Sequence, residues 1–122
     1  MMTMTTRLGG IVAEHVAAVN AFDTNAILAT FADDALVNDA RREFWGKDAI
    51  RRWVAKEMVG DQVTIEVIEV IDHHGQTVVR GRYDGDYDKT NLPDELILTN
   101  YFSVRDGQIV SLAIVFNQPA DY

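Results

Sequence analysis

The sequence contains no cysteine, which excludes disulfide bonds, thiolate metal sites, iron–sulfur clusters and cysteine nucleophiles. Only 2 of its 122 residues are proline, too few for a proline-rich linker. It has no run of about 18 uncharged apolar residues, so we expect no membrane-spanning helix. Basic residues are scarce, and 11 of them against 19 acidic residues give a net charge of -8. Because this charge repels phosphate backbones and anionic membranes, we expect neither nucleic-acid nor membrane partners.

The remaining composition is that of an ordinary folded domain. Hydrophobic residues make up 48% and charged residues 25%, a balance typical of globular proteins. The length favours a single domain over residues 1–122. The first ten residues lack the apolar core of a signal peptide, so a cytoplasmic protein is the default expectation.

Three helices are expected in the first half of the chain. Apolar residues at helical spacing predict a first helix over about 5–21. Asp23 or Thr24 offers the N-cap of a short second helix. A third helix is expected to begin at 46–48, and its apolar residues, Trp53 among them, are spaced for one buried face.

Strands dominate the second half, where segments rich in Val and Ile alternate. Turns are expected at His73-His74-Gly75 and, more strongly, at Asp106-Gly107. The predicted strands are a short one at 35–39, followed by a polar connection, and longer ones at 62–72, 76–87, 95–105 and 108–116. Helices first and meandering strands afterwards indicate an α+β fold. We expect a cone-shaped, curved, mostly antiparallel sheet whose concave face is covered by the three helices and encloses an apolar ligand site.

Four local strings carry a resemblance to a known group of proteins. They are His15-Val-Ala-Ala-Val-Asn-Ala-Phe-Asp23, Phe31-Ala-Asp-Asp-Ala-Leu-Val-Asn-Asp39, Gly46-Lys-Asp-Ala-Ile50 and Phe102-Ser-Val-Arg-Asp-Gly-Gln-Ile109. With the element order, they resemble the nuclear-transport-factor-2-like superfamily, in particular its SnoaL-like and steroid delta-isomerase-like proteins. The resemblance implies a cystatin-like roll and a homodimer. It leaves the activity open, because the superfamily includes isomerases, cyclases, dehydratases, epoxide hydrolases and noncatalytic binding modules.

The resemblance to steroid delta-isomerase implies catalytic roles for three residues. The general-base aspartate of that family falls on Asp39, at the end of the matching string. Its tyrosine donor on the first helix falls on His15, and its protonated aspartate donor falls on Asn100. In the family scheme the aspartate removes a carbon-bound proton while two donors hold the enolate oxygen.

The residues themselves leave alternatives open. Asp39 alternates with Ala35 and Val37, which points its carboxylate inward, but a frayed strand would leave it solvated beside the arginines that follow. His15 lies in the apolar stripe of the first helix, either as a core histidine with one partner or facing a ligand. Asn100 shares a predicted face with apolar neighbours, so its amide needs a partner in the protein, in water or in a ligand.

Five apolar or aromatic residues are predicted to line the ligand site. They are Val19, Trp53, Tyr83, Phe102 and Phe116. The alternative is that they simply fill a packed core.

We expect no metal and no cofactor. Asp84, Asp86, Asp88 and Glu95 match positions 1, 3, 5 and 12 of a calcium loop, but Lys89 stands where that loop needs glycine and the flanks indicate strands. The acidic residues of strand 76–87, with Arg80 and Arg82, are better explained as an outward charged stripe.

The sequence therefore predicts a domain that binds a small hydrophobic, oxygen-bearing molecule. As an enzyme it would abstract a proton next to a carbonyl, with Asp39 as base, in an isomerisation, cyclisation or dehydration. The alternatives are a noncatalytic binding module and a dimeric scaffold. The dimer would form through the sheet face away from the helices.

Overall fold

The protein is described from a computed structural model covering residues 3–5, 8–73 and 76–116. Helices form α1 (Gly10–Asn20), α2 (Thr24–Ala29) and α3 (Gly46–Trp53), and α3 continues into a π-helical segment, Val54–Val59. The strands are β1 (Thr3–Thr5), β2 (Phe31–Asp39), β3 (Arg42–Trp45), β4 (Thr64–His73), β5 (Gln76–Asp84), β6 (Leu96–Arg105) and β7 (Gln108–Val115).

Within these residues the strands form one curved sheet in the order β1-β4-β5-β6-β7-β2-β3. Every neighbouring pair is antiparallel except β2 and β7, which run parallel. The predicted α+β class and mostly antiparallel sheet are confirmed. None of the helices in the described ranges is long and apolar enough to cross a membrane.

The helices bury one face each against this sheet. The predicted N-cap of α2 is confirmed, since the Asp23 side chain accepts a 3.0 Å hydrogen bond from the Ala26 N–H. Fully buried side chains from helices and strands form one cluster, which includes Val12, Val19, Ile27, Ile50, Trp53, Val37, Phe102 and Leu112. Burial of this apolar surface is the main force holding helices to sheet.

Several boundaries differ from the sequence expectations. The predicted polar connection after 35–39 is wrong, because Arg42–Trp45 form β3, a hairpin partner of β2. β2 starts at Phe31 rather than Ala35, and β5 ends at Asp84. The first helix begins at Gly10, while Thr3–Thr5 pair with β4. The expected Asp106-Gly107 turn is confirmed, with φ of 53° and 74°; most of the His73-His74-Gly75 turn lies outside the described residues.

Candidate functional site

The register of the sheet brings Asp39 and Asn100 onto one row. Ile114 of β7 pairs with Asp39 on one side and with Asn100 on the other, and Asn100 in turn pairs with Val79. Paired residues on neighbouring strands point to the same face. Asp39 and Asn100 therefore share the inner face, two strands or about 10 Å apart.

The Asp39 carboxylate is held at one oxygen. Its Oδ2 accepts a 3.1 Å hydrogen bond from Trp53 Nε1 and a 3.0 Å hydrogen bond from Arg42 Nη2, whereas Oδ1 accepts none from a described residue. The side chain is 23% exposed. Burial raises the pKa of Asp39 above its ordinary value; Trp53 and Arg42 oppose this, and the charge of Glu57 adds to it. Oδ1 is thus the atom that can take a proton.

Asn100 is buried and bonded at both ends of its amide. Its Oδ1 accepts a 2.5 Å hydrogen bond from the Tyr83 hydroxyl, and its Nδ2 donates to the Val79 carbonyl over 3.1 Å. An amide nitrogen carries two protons, so one N–H of Asn100 remains for another acceptor. Burial raises the pKa of Tyr83, the hydrogen bond to Asn100 lowers it, and the charge of Asp39 raises it, which places Tyr83 within electrostatic reach of that carboxylate.

Gly81 lies between Val79 and Tyr83 on β5, beside the Tyr83 ring. Tyr83 pairs with Leu96, four residues from Asn100 along β6, so its ring must lie along the sheet to reach the amide. A Cβ on Gly81 would lie 2.7 Å from Ile65 Cγ2 and 3.6 Å from Tyr83 Cε1. The absence of a side chain at Gly81 therefore leaves room for Ile65, whereas the distance to Tyr83 is an ordinary van der Waals contact.

The His15 tautomer follows from a chain of hydrogen bonds. The Thr30 hydroxyl donates its only proton to the Ile27 carbonyl over 2.6 Å, so it must accept from His15 Nδ1, 3.0 Å away. His15 is 2% exposed, its ring touches Phe31 and Phe102 edge-on, and burial lowers its pKa to about 4. At neutral pH, Nδ1 therefore carries the proton and Nε2 is an acceptor.

His15 Nε2 makes no hydrogen bond with the described residues. The one side-chain hydrogen bond of His15 in those ranges is the Nδ1 bond to Thr30, which leaves the Nε2 lone pair unused. The row below Asp39 and Asn100 joins Val37, Leu112 and Phe102, and His15 touches the last of these. His15 thus lies one row deeper than the two other candidate residues.

A cavity of about 160 Å³ is lined by Glu57, whose charge acts on Asp39, and by Tyr83, which bonds to Asn100, but not by Asp39, Asn100 or His15 themselves. Met58 and Glu57 of the π-helical segment form one side, and Tyr83 and Leu98 lie on the opposite strands. Leu98 precedes Asn100 by two residues and so shares its strand face. The remaining lining residues are Asp61, Val63, Tyr87, Leu92 and Leu96.

The five predicted ligand-lining residues fall into different places. Tyr83 lines the 160 Å³ cavity. Val19, Trp53 and Phe102 are fully buried in the core cluster, where Trp53 also reaches Asp39 through its indole nitrogen. Phe116 is 40% exposed and borders a separate groove at the end of β7.

Residues 12–112 match the model of the SnoaL-like domain family. The chain belongs to this family. The assignment confirms the resemblance to the nuclear-transport-factor-2-like superfamily inferred from the four sequence strings. No curated protein matches the chain significantly.

Solved structures agree with the family assignment. A proposed polyketide cyclase from Sinorhizobium meliloti is 30% identical, with a TM-score of 0.79 over 88% of this chain and 95% of that one. A protein with a ketosteroid isomerase-like fold from Catenulispora acidiphila, in complex with trimethylamine, is 19% identical, with a TM-score of 0.74 over 88% and 85%. TerC, co-crystallised with polyporic acid, is 16% identical, with a TM-score of 0.74 over 88% of each chain. The last two similarities concern the fold alone.

Two charged residues of this SnoaL-like domain escaped the sequence reasoning. Arg42 and Glu57 surround Asp39, but Arg42 is predicted to lie in a polar connection and Glu57 has no predicted role. The four-residue spacing of Trp53 and Glu57 is the one signal that places both on one helical face.

The predicted charged stripe is exposed at Arg80, Asp84 and Asp86 and partly exposed at Arg82, but Asp86 lies beyond the end of β5. Arg82 pairs with Glu66 and Glu95, and Lys89 pairs with Asp84. In the described part of the chain, no three His, Asp or Glu side chains are grouped to hold a metal ion.

Proposed function

We propose that this SnoaL-like domain binds a small hydrophobic, oxygen-bearing molecule against Asp39 and moves a proton at a carbon next to its carbonyl. The observation that carries the proposal is the Asp39 carboxylate itself. It lies on the inner face of the sheet, is bonded at Oδ2 by Trp53 and Arg42, and keeps Oδ1 open.

Partial burial suits Asp39 to act as a base. Desolvation raises its pKa, and a carboxylate with a raised pKa is a stronger base toward a weakly acidic C–H. Oδ1 would take the proton from the carbon and leave an enolate; returning the proton to a different carbon completes an isomerisation.

Asn100 is the donor best placed to stabilise the enolate oxygen. Tyr83 and Val79 fix the orientation of its amide, and the second N–H on Nδ2 stays available. Neutral His15 offers an acceptor at Nε2 rather than a donor. We therefore propose that Nε2 accepts a hydrogen bond from a hydroxyl group of the ligand.

The cavity lined by Glu57 and Tyr83, two residues that interact electrostatically with Asp39, supports a compact ligand. Its volume of about 160 Å³ is close to that of the ~150 Å³ apolar cavity that admits benzene in another protein, so one ring would fit. The proposed polyketide cyclase and the two ligand complexes among the neighbours support binding of small molecules by domains of this fold.

Hydrogen exchange at carbon tests the proposal. Cyclohexanone and 2-hydroxycyclohexanone would be incubated with the protein in deuterium oxide, and loss of the C–H signals next to the carbonyl followed by NMR. We expect catalysed exchange that falls about 10²-fold or more in Asp39→Asn, which keeps the shape but removes the proton acceptor.

Asp33→Asn is the matched control, because the Asp33 side chain is 98% exposed on the same strand. Equal exchange in wild type and Asp39→Asn would exclude Asp39 as the base.

A binding module without turnover is the second candidate. Its supporting observation is that Tyr83 and Val79 already bond to the oxygen and to one N–H of the Asn100 amide. Under this alternative, the ketones would bind to wild type and Asp39→Asn with similar affinity, and neither protein would catalyse exchange.

We also propose that the protein forms a homodimer through the outer face of the sheet. Val78, Tyr101 and Ala113 pair with one another across β5, β6 and β7 and are only half-buried in the single chain. Tyr101→Glu should then convert a dimer into a monomer in sedimentation experiments. A wild-type protein that is monomeric well above micromolar concentration would exclude the dimer. A cytoplasmic location stays a prediction from sequence.

A further inference from the structure

We propose that Arg42 and Glu57 act as a positioning pair that fixes Asp39 Oδ2 and leaves Oδ1 as the proton acceptor. The inference rests on the proposed role of Asp39 as base, and it assigns to Arg42 and Glu57 a role that acts through Asp39 rather than on the reacting carbon.

The hairpin between β2 and β3 sets the position of Arg42. Its two-residue turn, Ala40 and Arg41, pairs Asp39 directly with Arg42, so both side chains point to the same face. Besides the bond to Oδ2, the Arg42 Nε donates to the Asp39 carbonyl over 3.3 Å. The guanidinium thus contacts both the side chain and the main chain of Asp39.

Glu57 holds Arg42 from the opposite side. Its two carboxylate oxygens accept from Arg42 Nη1 over 2.9 Å and from Nη2 over 2.7 Å, the parallel geometry that a guanidinium forms best. Glu57 lies in the π-helical segment, four residues after Trp53. That segment and the end of α3 therefore hold Oδ2 by two routes: directly through Trp53 and indirectly through Glu57 and Arg42.

A base fixed at one oxygen presents the other in one direction. Oδ1 has no donor among the described residues, so its lone pairs are free for a C–H proton. Catalysis depends strongly on such alignment, because a displacement of about 1 Å can cost about 10²-fold in rate.

Arg42 and Glu57 also have opposite electrostatic effects on Asp39. The charged and titratable groups that face Asp39 are Arg42 from β3, Glu57 from the π-helical segment and Tyr83 from β5. Arg42 lowers the pKa of Asp39 and Glu57 raises it. Removing each charge should therefore move the titration of Asp39 in opposite directions.

The indole N–H of Trp53 reports this titration directly, because it is bonded to Asp39 Oδ2. Its resonance would be followed against pH in ¹⁵N-labelled protein. The second tryptophan, Trp45, is exposed and donates to Glu43, so its indole resonance is an internal control. We expect the Trp53 midpoint to rise by about half a pH unit or more in Arg42→Gln and to fall in Glu57→Gln.

Arg52→Gln controls for net charge, since Arg52 is exposed on α3 and bonds to no described residue. Its Trp53 midpoint should match that of wild type. Three results would overturn the proposal. The Trp53 midpoint could shift as much in Arg52→Gln as in Arg42→Gln, or it could stay unchanged in both Arg42→Gln and Glu57→Gln. It could also shift in the same direction in those last two variants.

Arg42→Lys separates charge from geometry. Lysine keeps the positive charge but cannot hold both carboxylates with a planar fork. We expect a nearly unchanged Trp53 midpoint and a fall in ketone exchange of about 10-fold or more. If Arg42→Gln and Glu57→Gln shift the Trp53 midpoint in opposite directions but the wild-type protein catalyses no ketone exchange, only the base role of Asp39 is refuted. Exchange that is lost in Asp39→Asn but unchanged in Arg42→Lys would refute only the positioning role.

Discussion

The indole nitrogen of Trp53 donates a 3.1 Å hydrogen bond to the Asp39 carboxylate. Trp53 is otherwise fully buried in the core cluster, so one side chain both fills the interior and fixes a charged group at the end of β2. An inward carboxylate is costly unless it is bonded or used. Here the cost is partly offset by two donors, and the remaining raised pKa suits a base.

Asp39→Asn should stabilise the protein. Because the folded pKa of Asp39 lies above its unfolded value, the folded state binds this proton more tightly, and ionisation destabilises the fold as pH rises through the unfolded pKa of about 4. Asparagine still accepts from Trp53 but carries no charge. We expect a gain of about 0.5–1 kcal/mol in urea unfolding at pH 7, fading toward pH 4. A loss of stability at pH 7 would mean that ionised Asp39 holds the fold together.

His15 should make the protein sensitive to mild acid. Its folded pKa of about 4 lies below the unfolded value of 6.5, so protons bind preferentially to the unfolded chain as pH falls from 6.5 toward 4. We expect a loss of about 2 kcal/mol between pH 7 and pH 5 in urea unfolding. His15→Gln, which can still donate to Thr30, should lack most of this loss. Equal losses in both proteins would show that folding does not lower the pKa of His15.

Tyr83→Phe should destabilise the protein by about 1–3 kcal/mol, because it leaves the buried Asn100 Oδ1 without its donor. Tyr87→Phe is the matched control. The Tyr87 hydroxyl makes a longer 3.3 Å bond in a half-buried position, so we expect less than about 0.5 kcal/mol. Thermal unfolding of both variants measures the difference, and similar losses would contradict the importance of the Tyr83 contact.

Arg41→Gly should stabilise the hairpin of β2 and β3. Ala40 and Arg41 both have positive φ, 53° and 70°, a conformation that costs non-glycine residues energy. We expect a gain of about 0.5–1 kcal/mol in unfolding free energy. Arg52→Gly, an exposed helical position, should instead cost about 1 kcal/mol. A destabilised Arg41→Gly would mean that the arginine side chain itself supports the turn.

The same turn explains why β3 was missed from sequence. Asn-Gly or Asp-Gly signals such a hairpin, as Asp106-Gly107 does later in the chain, whereas Ala40-Arg41 gives no signal. With β3 unrecognised, the sequence placed Arg42 near Asp39 only in the alternative of a frayed strand with a solvated carboxylate, and not as a bonded partner on the inner face of the sheet. The helices and long strands were predictable because their apolar periods are regular over many residues.

The contacts around Asn100 and His15 depend on information that local patterns do not contain. Tyr83 reaches Asn100 because the strand register puts both residues on one face and the Tyr83 ring lies along the sheet. The acceptor role of His15 Nε2 depends on where the Thr30 proton points. Alternation in β2 did indicate an inward Asp39, since Ala35 and Val37 are fully buried.

The most direct test of the central claim, that a ligand binds against Asp39 on the inner face, is an NMR titration with phenol, a single-ring mimic of an enol. We expect the Trp53 indole N–H resonance to move with phenol concentration and to saturate, while the Trp45 indole resonance stays fixed. A Trp53 resonance that does not move, or that moves only as much as Trp45, would contradict a ligand site at Asp39.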